Sequence, residues 1–336
     1  MKALQLRECR RLESIQLPTP TPKDGEALIR TAASTICTSD LADIAHNPLN
    51  IQLPRVLGHE SAGVIAELGR GVTGFQAGDR VAVHPVIPCG SCANCARNLG
   101  HLCERMGHLG YDRDGTHAEY FCVPAERIRA IPEQLDFAVA SLLEPVAVCI
   151  EAVKRVRLAK NDRLLVVGDG PFGIMIARLA LRCGPTQVLL VGHEDFRLRQ
   201  AHHAIQINGR SVENVTEAVL AATNGVGADA AVLAVAGETA LDLCVQSLRA
   251  RGRLGIFASM PQRTAIDLMQ IHVKELDVLG VCNDENHIDD ALALLSDKSL
   301  GLESIITHRV PFAEWERAFD LAANRKSEAI KVSMIF

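Results

Sequence analysis

Short apolar runs, each closed by glycine or proline, dominate the first part of the chain. Residues 27–31, 61–67 and 80–84 alternate apolar with polar or small side chains, the period-two pattern of half-buried strands. From Glu144 onward the texture changes. Residues 146–156 read as a helix, and 163–167 as a short apolar strand running straight into Gly168. A helix at 174–182, a strand at 187–191, a helix at 196–203 and strands at 228–234, 254–258 and 276–281 continue the series. Strands alternating with helices predict a parallel, doubly wound sheet. Past Gly280 the alternation gives way to two helical stretches and a closing strand at 329–335. There is no internal repeat and no low-complexity linker.

Composition narrows the class. At 336 residues and 48% hydrophobic content, the chain is long enough for two domains with ample cores. A net charge of −5 without a basic stripe argues against a nucleic-acid partner. No apolar run approaches the ~20 residues needed to cross a bilayer. The opening M-K-A-L-Q-L-R-E-C-R-R lacks the apolar core of a secretion signal. Eleven cysteines in such a chain are expected to be reduced thiols and metal ligands in the cytosol. Aromatic residues, at 4%, are too sparse to suggest recognition by stacking. The expectation is a cytoplasmic enzyme acting on a small molecule, with neither membrane nor nucleic acid as partner.

Four cysteines carry the sharpest chemistry. Cys89, Cys92, Cys95 and Cys103 follow C-x2-C-x2-C-x7-C, which crowds four soft thiolates into one small lobe. Tetrahedral zinc, with four sulfurs at about 2.3 Å, is the closed, structural kind of site that rewards this crowding. An iron–sulfur cluster is the competing reading, but its usual run places the next cysteine after three residues with proline behind it, whereas Glu104 follows Cys103.

The second constellation is a glycine turn. Gly168-Asp169-Gly170-Pro171-Phe172-Gly173 is G-x-G-x-x-G, placed between an apolar strand and a helix. In that context it predicts a dinucleotide site: Gly168 for the tight turn, Gly170 for close approach to pyrophosphate, Gly173 for helix–strand packing. The helix that starts at Pro171 offers free N–H groups to the phosphates from Phe172 onward. Asp169 is expected to point away from them. The next strand should end in a carboxylate for the adenosine ribose, yet Gly192 stands there. A 2′-phosphate would meet no fixed repulsion and could pair with His193 and Arg197, so the residues lean slightly to NADP(H). Glu194 or Asp195 could instead supply the carboxylate.

Two further segments gain meaning only in combination: Cys37 in T-I-C-T-S-D, and His59-Glu60 in L-G-H-E-S-A-G. Gly58-His59-Glu60-x2-Gly63-x5-Gly69-x2-Val72, closing in Gly78-Asp79-Arg80-Val81, resembles the signature of zinc-dependent medium-chain dehydrogenases/reductases, the alcohol dehydrogenase superfamily. The order of Cys37, the G-H-E segment, the cysteine lobe, L-L-E-P at 142–145 and the glycine turn is similar to that family from end to end. Glu144, where the alcohol dehydrogenase branch has cysteine, makes the chain most similar to the sorbitol (polyol) and threonine dehydrogenase branch.

The resemblance implies an α/β architecture: a GroES-like, β-rich catalytic domain interrupted by a Rossmann domain. The expected boundaries are 1–146 for the first catalytic part with its zinc lobe at 89–103, 147–280 for the Rossmann domain and 281–336 for the return. It implies two zinc ions per chain. One is structural, on the four cysteines; the other is catalytic, on Cys37, His59 and one or both of Glu60 and Glu144. Ser39 resembles the family's proton-passing hydroxyl. The implied reaction interconverts a secondary alcohol and a ketone with NAD(P), on a polyol, sugar acid, amino alcohol or cyclitol. A zinc-free quinone or enone reductase and a non-catalytic NADPH-binding protein are the alternatives. Relatives in this branch are tetramers or dimers, with contacts from residues 252–260 onward, so a homo-oligomer is expected. The chain also departs from the family. Thr38 replaces a glycine, Ala42 a relay histidine, and Cys282-Asn283 falls where a substrate-facing arginine is usual. His117 stands at an often apolar position and is expected to be an ordinary strand residue. His101 is expected at the surface, and Lys331 is read as part of a structural closing strand.

Overall fold

The computed structural model describes residues 1–260, 262–284, 286–324 and 327–336. The chain divides into two units, one of Met1–Ala147 with Glu285–Phe336, the other of Val148–Asp284.

In the first unit the apolar runs pair into a seven-stranded sheet around Glu26–Thr35. That strand pairs antiparallel with Glu60–Leu68 on one side. On the other it takes Tyr120–Pro124 along its first half and Lys331–Ile335 along its second. Arg80–Val83 and Ile128–Ala130 extend the sheet beyond Glu60–Leu68, and Ile306–Pro311 lies beyond Lys331–Ile335. Ala27, Ile29, Ile65, Val81, Val83, Phe121 and Val123 form one core on this sheet. The central strand runs four residues past the expected 27–31 because T-A-A-S-T, poor in large apolar side chains, still suits a crowded register. At Gly63, opposite Thr31, a Cβ would lie 2.2 Å from the carbonyl of Arg30. The hairpin Lys2–Glu8/Arg11–Gln16 was not expected, since its turn uses Arg10 at φ 66° in place of glycine.

The second unit is a six-stranded parallel sheet: β1 (Arg163–Val167), β2 (Gln187–Gly192), β3 (Ile205–Asn208), β4 (Ala228–Leu233), β5 (Leu248–Ile256) and β6 (Asp277–Gly280). Their spatial order is β3-β2-β1-β4-β5-β6, so the winding reverses between β1 and β4. This is the doubly wound arrangement that the alternation of strands and helices predicts. Ligands in such sheets bind where the strand order reverses, outside the carboxyl ends. One expected helix is shorter than its pattern: 196–203 becomes Asp195–Arg199, and β3 follows as a partly exposed strand with too few apolar residues to be read in advance. No helix among the described residues is long and apolar enough to cross a membrane.

The turn after β1 depends on contact distances that only glycine tolerates. A Cβ at Gly173 would lie 1.8 Å from the carbonyl oxygen of Gly168. Gly173→Ala should therefore separate the helix Pro171–Ala180 from the strand end. Overpacking of this kind costs roughly 1–3 kcal/mol. Thermal unfolding should show a midpoint lowered by several degrees, and an unchanged midpoint would contradict the contact.

Candidate functional site

Sheet register brings the metal-type residues together. Thr35 is level with Glu60 on one neighbour and with Ser333 on the other. Following the chain past these pairs places Cys37, His59, Glu60 and Lys331 at one end of three adjacent strands. One ligand atom each from Cys37, His59 and Glu60 lies within 4.8 Å of the others, and all three residues are buried. Glu60 is fully buried, its Oε1 held by the Lys331 ammonium, while Oε2 has no hydrogen-bond partner among the described residues. Lys331, expected to be structural only, is thus a counter-ion of the centre. Glu144, in the first turn of the helix Leu143–Arg155, lies outside the three-residue group but close enough to raise the pKa of both His59 and Lys331.

A second layer holds His59. Cys37 is the N-cap of the helix Thr38–His46, and Asp40, three residues on, accepts a hydrogen bond from the Cys37 N–H at 2.9 Å, half of a capping box. Asp40 Oδ1 also faces His59 Nδ1 at 3.6 Å, and its Oδ2 faces His117 Nε2 at 3.4 Å. Burial alone would raise the pKa of Asp40, but the charge of His59 and the contact with His117 hold it well below the usual carboxylate range. His117 is not an ordinary strand residue. It is fully buried, packs where a Cβ on Gly58 would come within 2.5 Å of its ring, and meets Ser34 Oγ through Nδ1 at 2.8 Å. A carboxylate only accepts, so Nε2 carries the proton toward Asp40 and Nδ1 accepts from the Ser34 hydroxyl. Ser34 in turn meets Thr116 Oγ1 at 2.9 Å. Sequence reasoning missed Asp40, although its place three residues after an N-cap was a readable signal. Nothing local marked His117.

The field at this spot favours positive charge. Burial pulls the His59 imidazole down, yet Asp40, Cys37 and Glu144 together push its pKa well above the ordinary value. Lys331, also pulled down by burial, is raised by Glu60 and Cys37. A buried thiol and carboxylates that keep cations this firmly fit a divalent metal held by sulfur, nitrogen and oxygen. Ser39 Oγ lies 3.5 Å from His59 Nε2 and shares a side-chain hydrogen bond with Tyr111. Tyr111 stacks on His108 with ring centroids 4.4 Å apart. Burial and the nearby charge of His59 push His108 down to about 3, so its ring is neutral.

The four-cysteine lobe has the dimensions of a single-ion site. Cys92 Sγ lies 3.5 Å from Cys95 Sγ and 3.8 Å from Cys103 Sγ, and all four sulfurs fall within 4.8 Å of one another. Four sulfurs at about 2.3 Å from one tetrahedral ion stand roughly 3.8 Å apart. An iron–sulfur cluster would spread them further, and none of these cysteines is in a disulfide. The thiols diverge in pKa: the Ser91 N–H and the Arg105 guanidinium bring Cys89 down to about 5, whereas burial and its neighbouring thiols push Cys95 up to about 11. His101, expected at the surface, is buried because the short turn Gly100–Leu102 directs it inward and leaves Leu102 exposed.

In the second unit the glycine turn has the shape the sequence implies. Gly168 adopts φ 123°, which favours glycine, and the space beside Gly170 is open where a phosphate must approach. Pro171 begins the helix, and the Phe172 ring lies 5.2 Å from that of Phe257. Gly192 ends β2, with His193 exposed after it and Arg197 in the short helix Asp195–Arg199. Asp169 turns to this strand end, its Oδ2 accepting from the N–H groups of His193 and Glu194, each at 2.8 Å.

A doubly wound sheet with a G-x-G-x-x-G turn and a buried Cys-His-Glu group able to hold a metal ion occur in one chain, the combination that a metal-assisted, nicotinamide-linked oxidoreductase requires. Comparison with known proteins agrees. The family description "Alcohol dehydrogenase GroES-like domain" matches residues 23–133, and "Zinc-binding dehydrogenase" matches 171–297. A sorbitol dehydrogenase of Halalkalibacterium halodurans is 31% identical, the match covering 94% of this chain and 93% of that protein. An L-threonine 3-dehydrogenase of Pyrococcus horikoshii is 31% identical over 92% of this chain and 91% of its own. Among solved structures, one described as a putative zinc-binding dehydrogenase of Sinorhizobium meliloti bound to NADP superposes with a TM-score of 0.93 at 25% identity, covering 100% of this chain and 99% of that one. The chain belongs to the zinc-dependent medium-chain alcohol dehydrogenase superfamily and is an oxidoreductase.

The Asp40–His117 contact makes its own prediction. Partners behind a metal-binding histidine typically contribute 10–100-fold, at order of magnitude, to metal affinity. His117→Phe, which keeps the bulk and removes the N–H, should speed zinc loss to a chelator by about tenfold or more, while His117→Gln should restore much of the lost retention. Equal zinc retention in all three proteins would remove His117 from the centre.

Proposed function

We propose that this chain is a zinc-dependent dehydrogenase that interconverts a secondary alcohol and a ketone on a small hydroxylated substrate, with NAD(P)(H) as hydride carrier. The observation that carries the reading is the buried convergence of Cys37, His59 and Glu60 in a field that favours a cation. Cys37 and His59 would hold the catalytic zinc, with one or both of Glu60 and Glu144 as carboxylate ligands, and the four cysteines of the lobe would hold a second, structural zinc. A zinc ion bound there would supply Lewis acidity toward an alcohol or carbonyl oxygen, and a bound NAD(P)(H) would supply the hydride acceptor or donor. Oxidation of the alcohol releases one proton and one hydride per ketone formed. Ser39, hydrogen-bonded to Tyr111, would relay the hydroxyl proton, accepting it as it gives up its own, and with Ala42 in place of a relay histidine the released proton ends in solvent.

Sorbitol and threonine, which name the two relatives, both contain a secondary alcohol next to a carbon that bears a polar group. Polyols, sugar acids, amino alcohols and cyclitols are therefore the substrates to screen, with both cofactors. A zinc-free reductase or a purely nucleotide-binding protein would leave the buried Cys-His-Glu group without use. The protein as purified should contain two zinc ions per chain. Cys37→Ala should contain one, unfold within a few degrees of the parent and lose turnover by at least about three orders of magnitude, as loss of a metal's Lewis acidity implies. Turnover retained by that variant would refute the site.

We place the protein in the cytosol, in keeping with cysteines that form no disulfide. We also read it as a homo-oligomer, dimer or tetramer. Past residues 252–260, the helix Leu268–Lys274 exposes Leu268 at 71%, Met269 at 65% and Val273 at 59%, and edge strand β6 exposes Val278 at 41%. An open sheet edge beside apolar side chains is the kind of surface that a second copy covers. Light scattering should give a mass of two or four chains, and Val273→Glu with Val278→Lys should lower it; a monomeric parent would end this reading.

A further inference from the structure

The end of β2 contains a carboxylate after all, delivered from another segment. Strand β1 lies beside β2 with Val167 level with Val191, so the turn after β1 passes next to Gly192. A Cβ on Gly192 would stand 2.3 Å from Asp169 Cβ and 2.5 Å from Asp169 Cγ and Oδ2. The Asp169 side chain therefore occupies the volume into which an acidic residue at position 192 would project. Its Oδ2 is fixed by the N–H groups of His193 and Glu194, leaving Oδ1 as an acceptor. Asp169 as a whole is only partly buried.

We propose that Asp169 is the residue that selects the cofactor, binding the adenosine ribose hydroxyls in place of the missing strand-end acid and making the protein specific for NAD(H) over NADP(H). This rests on reading the second unit as a dinucleotide site, and it reverses the lean that Gly192 alone suggests. A 2′-phosphate needs donors, and the two backbone N–H groups at the strand end are already taken. Arg210 pairs with Glu194 at 2.7 Å, and Asn208 donates to Asp195 at 2.6 Å. Glu194 and Asp195 follow Gly192 closely in the chain, so the strand end that Asp169 reaches also carries two further acidic residues.

Binding, measured without turnover, tests this directly. NADH and NADPH are titrated against the purified protein by nucleotide fluorescence, with 5′-AMP and 2′,5′-ADP as competitors that carry no nicotinamide. The parent should bind NADH roughly tenfold or more tightly than NADPH, since an unrelieved like-charge contact is worth at least that factor. Asp169→Ser should cut the ratio by about tenfold, through weaker NADH and stronger NADPH, and Asp169→Asn should shift it in the same direction. A parent that prefers NADPH, or a ratio unmoved by either folded variant, overturns the proposal. If neither nucleotide nor competitor binds, the dinucleotide reading itself falls and the assignment of Asp169 falls with it. Should both variants fail to fold, the parent's own ratio still decides.

Discussion

Negative charge buried at the ends of three strands has to be met by positive charge, and much of the first unit is arranged to meet it. Glu60 is fully buried and Asp40 almost so. An ionised carboxylate in such a place is tenable only with close partners. Lys331 answers Glu60 with its charge, while Asp40 faces His59 and the Nε2 side of the His117 ring. Breaking one partner from a buried pair costs about 3–5 kcal/mol, because the remaining charge is left uncompensated. The same arrangement sets the electrostatic character of the centre: Cys37, Glu60 and Glu144 raise the pKa of whatever cationic group stands among them. Demand for a cation is thus a property of the fold, created by register, before any substrate is considered.

That register explains which site residues could be read from the chain. Cys37 and the Gly58-His59-Glu60 segment were legible because short, spaced patterns carry them. The four-cysteine lobe was legible for the same reason, with all its ligands inside one local segment. Lys331 was not, since its partner Glu60 lies 271 residues away and they meet only when the closing strand returns beside Glu26–Thr35. His117 is similar. Its role comes from a close approach to Gly58 and from Asp40 across the turn, and a histidine in G-T-H-A-E-Y signals neither contact. Asp40 lies between these cases, because Asp three residues after an N-cap is a local pattern that points to the Cys37 N–H.

The fold divides along the same line. Central strands such as Arg163–Val167 and Ala228–Leu233 are buried on both faces, and their apolar runs mark them plainly. Edge elements carry less of that signal. Strand β3 exposes Ile205 and Gln206, and the hairpin at Arg10 turns without glycine, so neither announces itself. Periodicity records burial, and it weakens wherever an element has solvent on one side.

At the nucleotide end the informative unit is a pair of positions, not a single one. Gly192 in isolation suggests an open, uncharged strand end; Asp169 in isolation suggests a misplaced acid inside a phosphate turn. Parallel pairing of β1 and β2 makes them one feature: the glycine leaves the volume that the aspartate fills, and the strand-end N–H groups fix the carboxylate there. The two positions are sterically coupled, since any side chain at 192 would collide with Asp169. A motif position is therefore best read together with the neighbouring strand that shares its volume, because backbone pairing decides which of the two side chains occupies it.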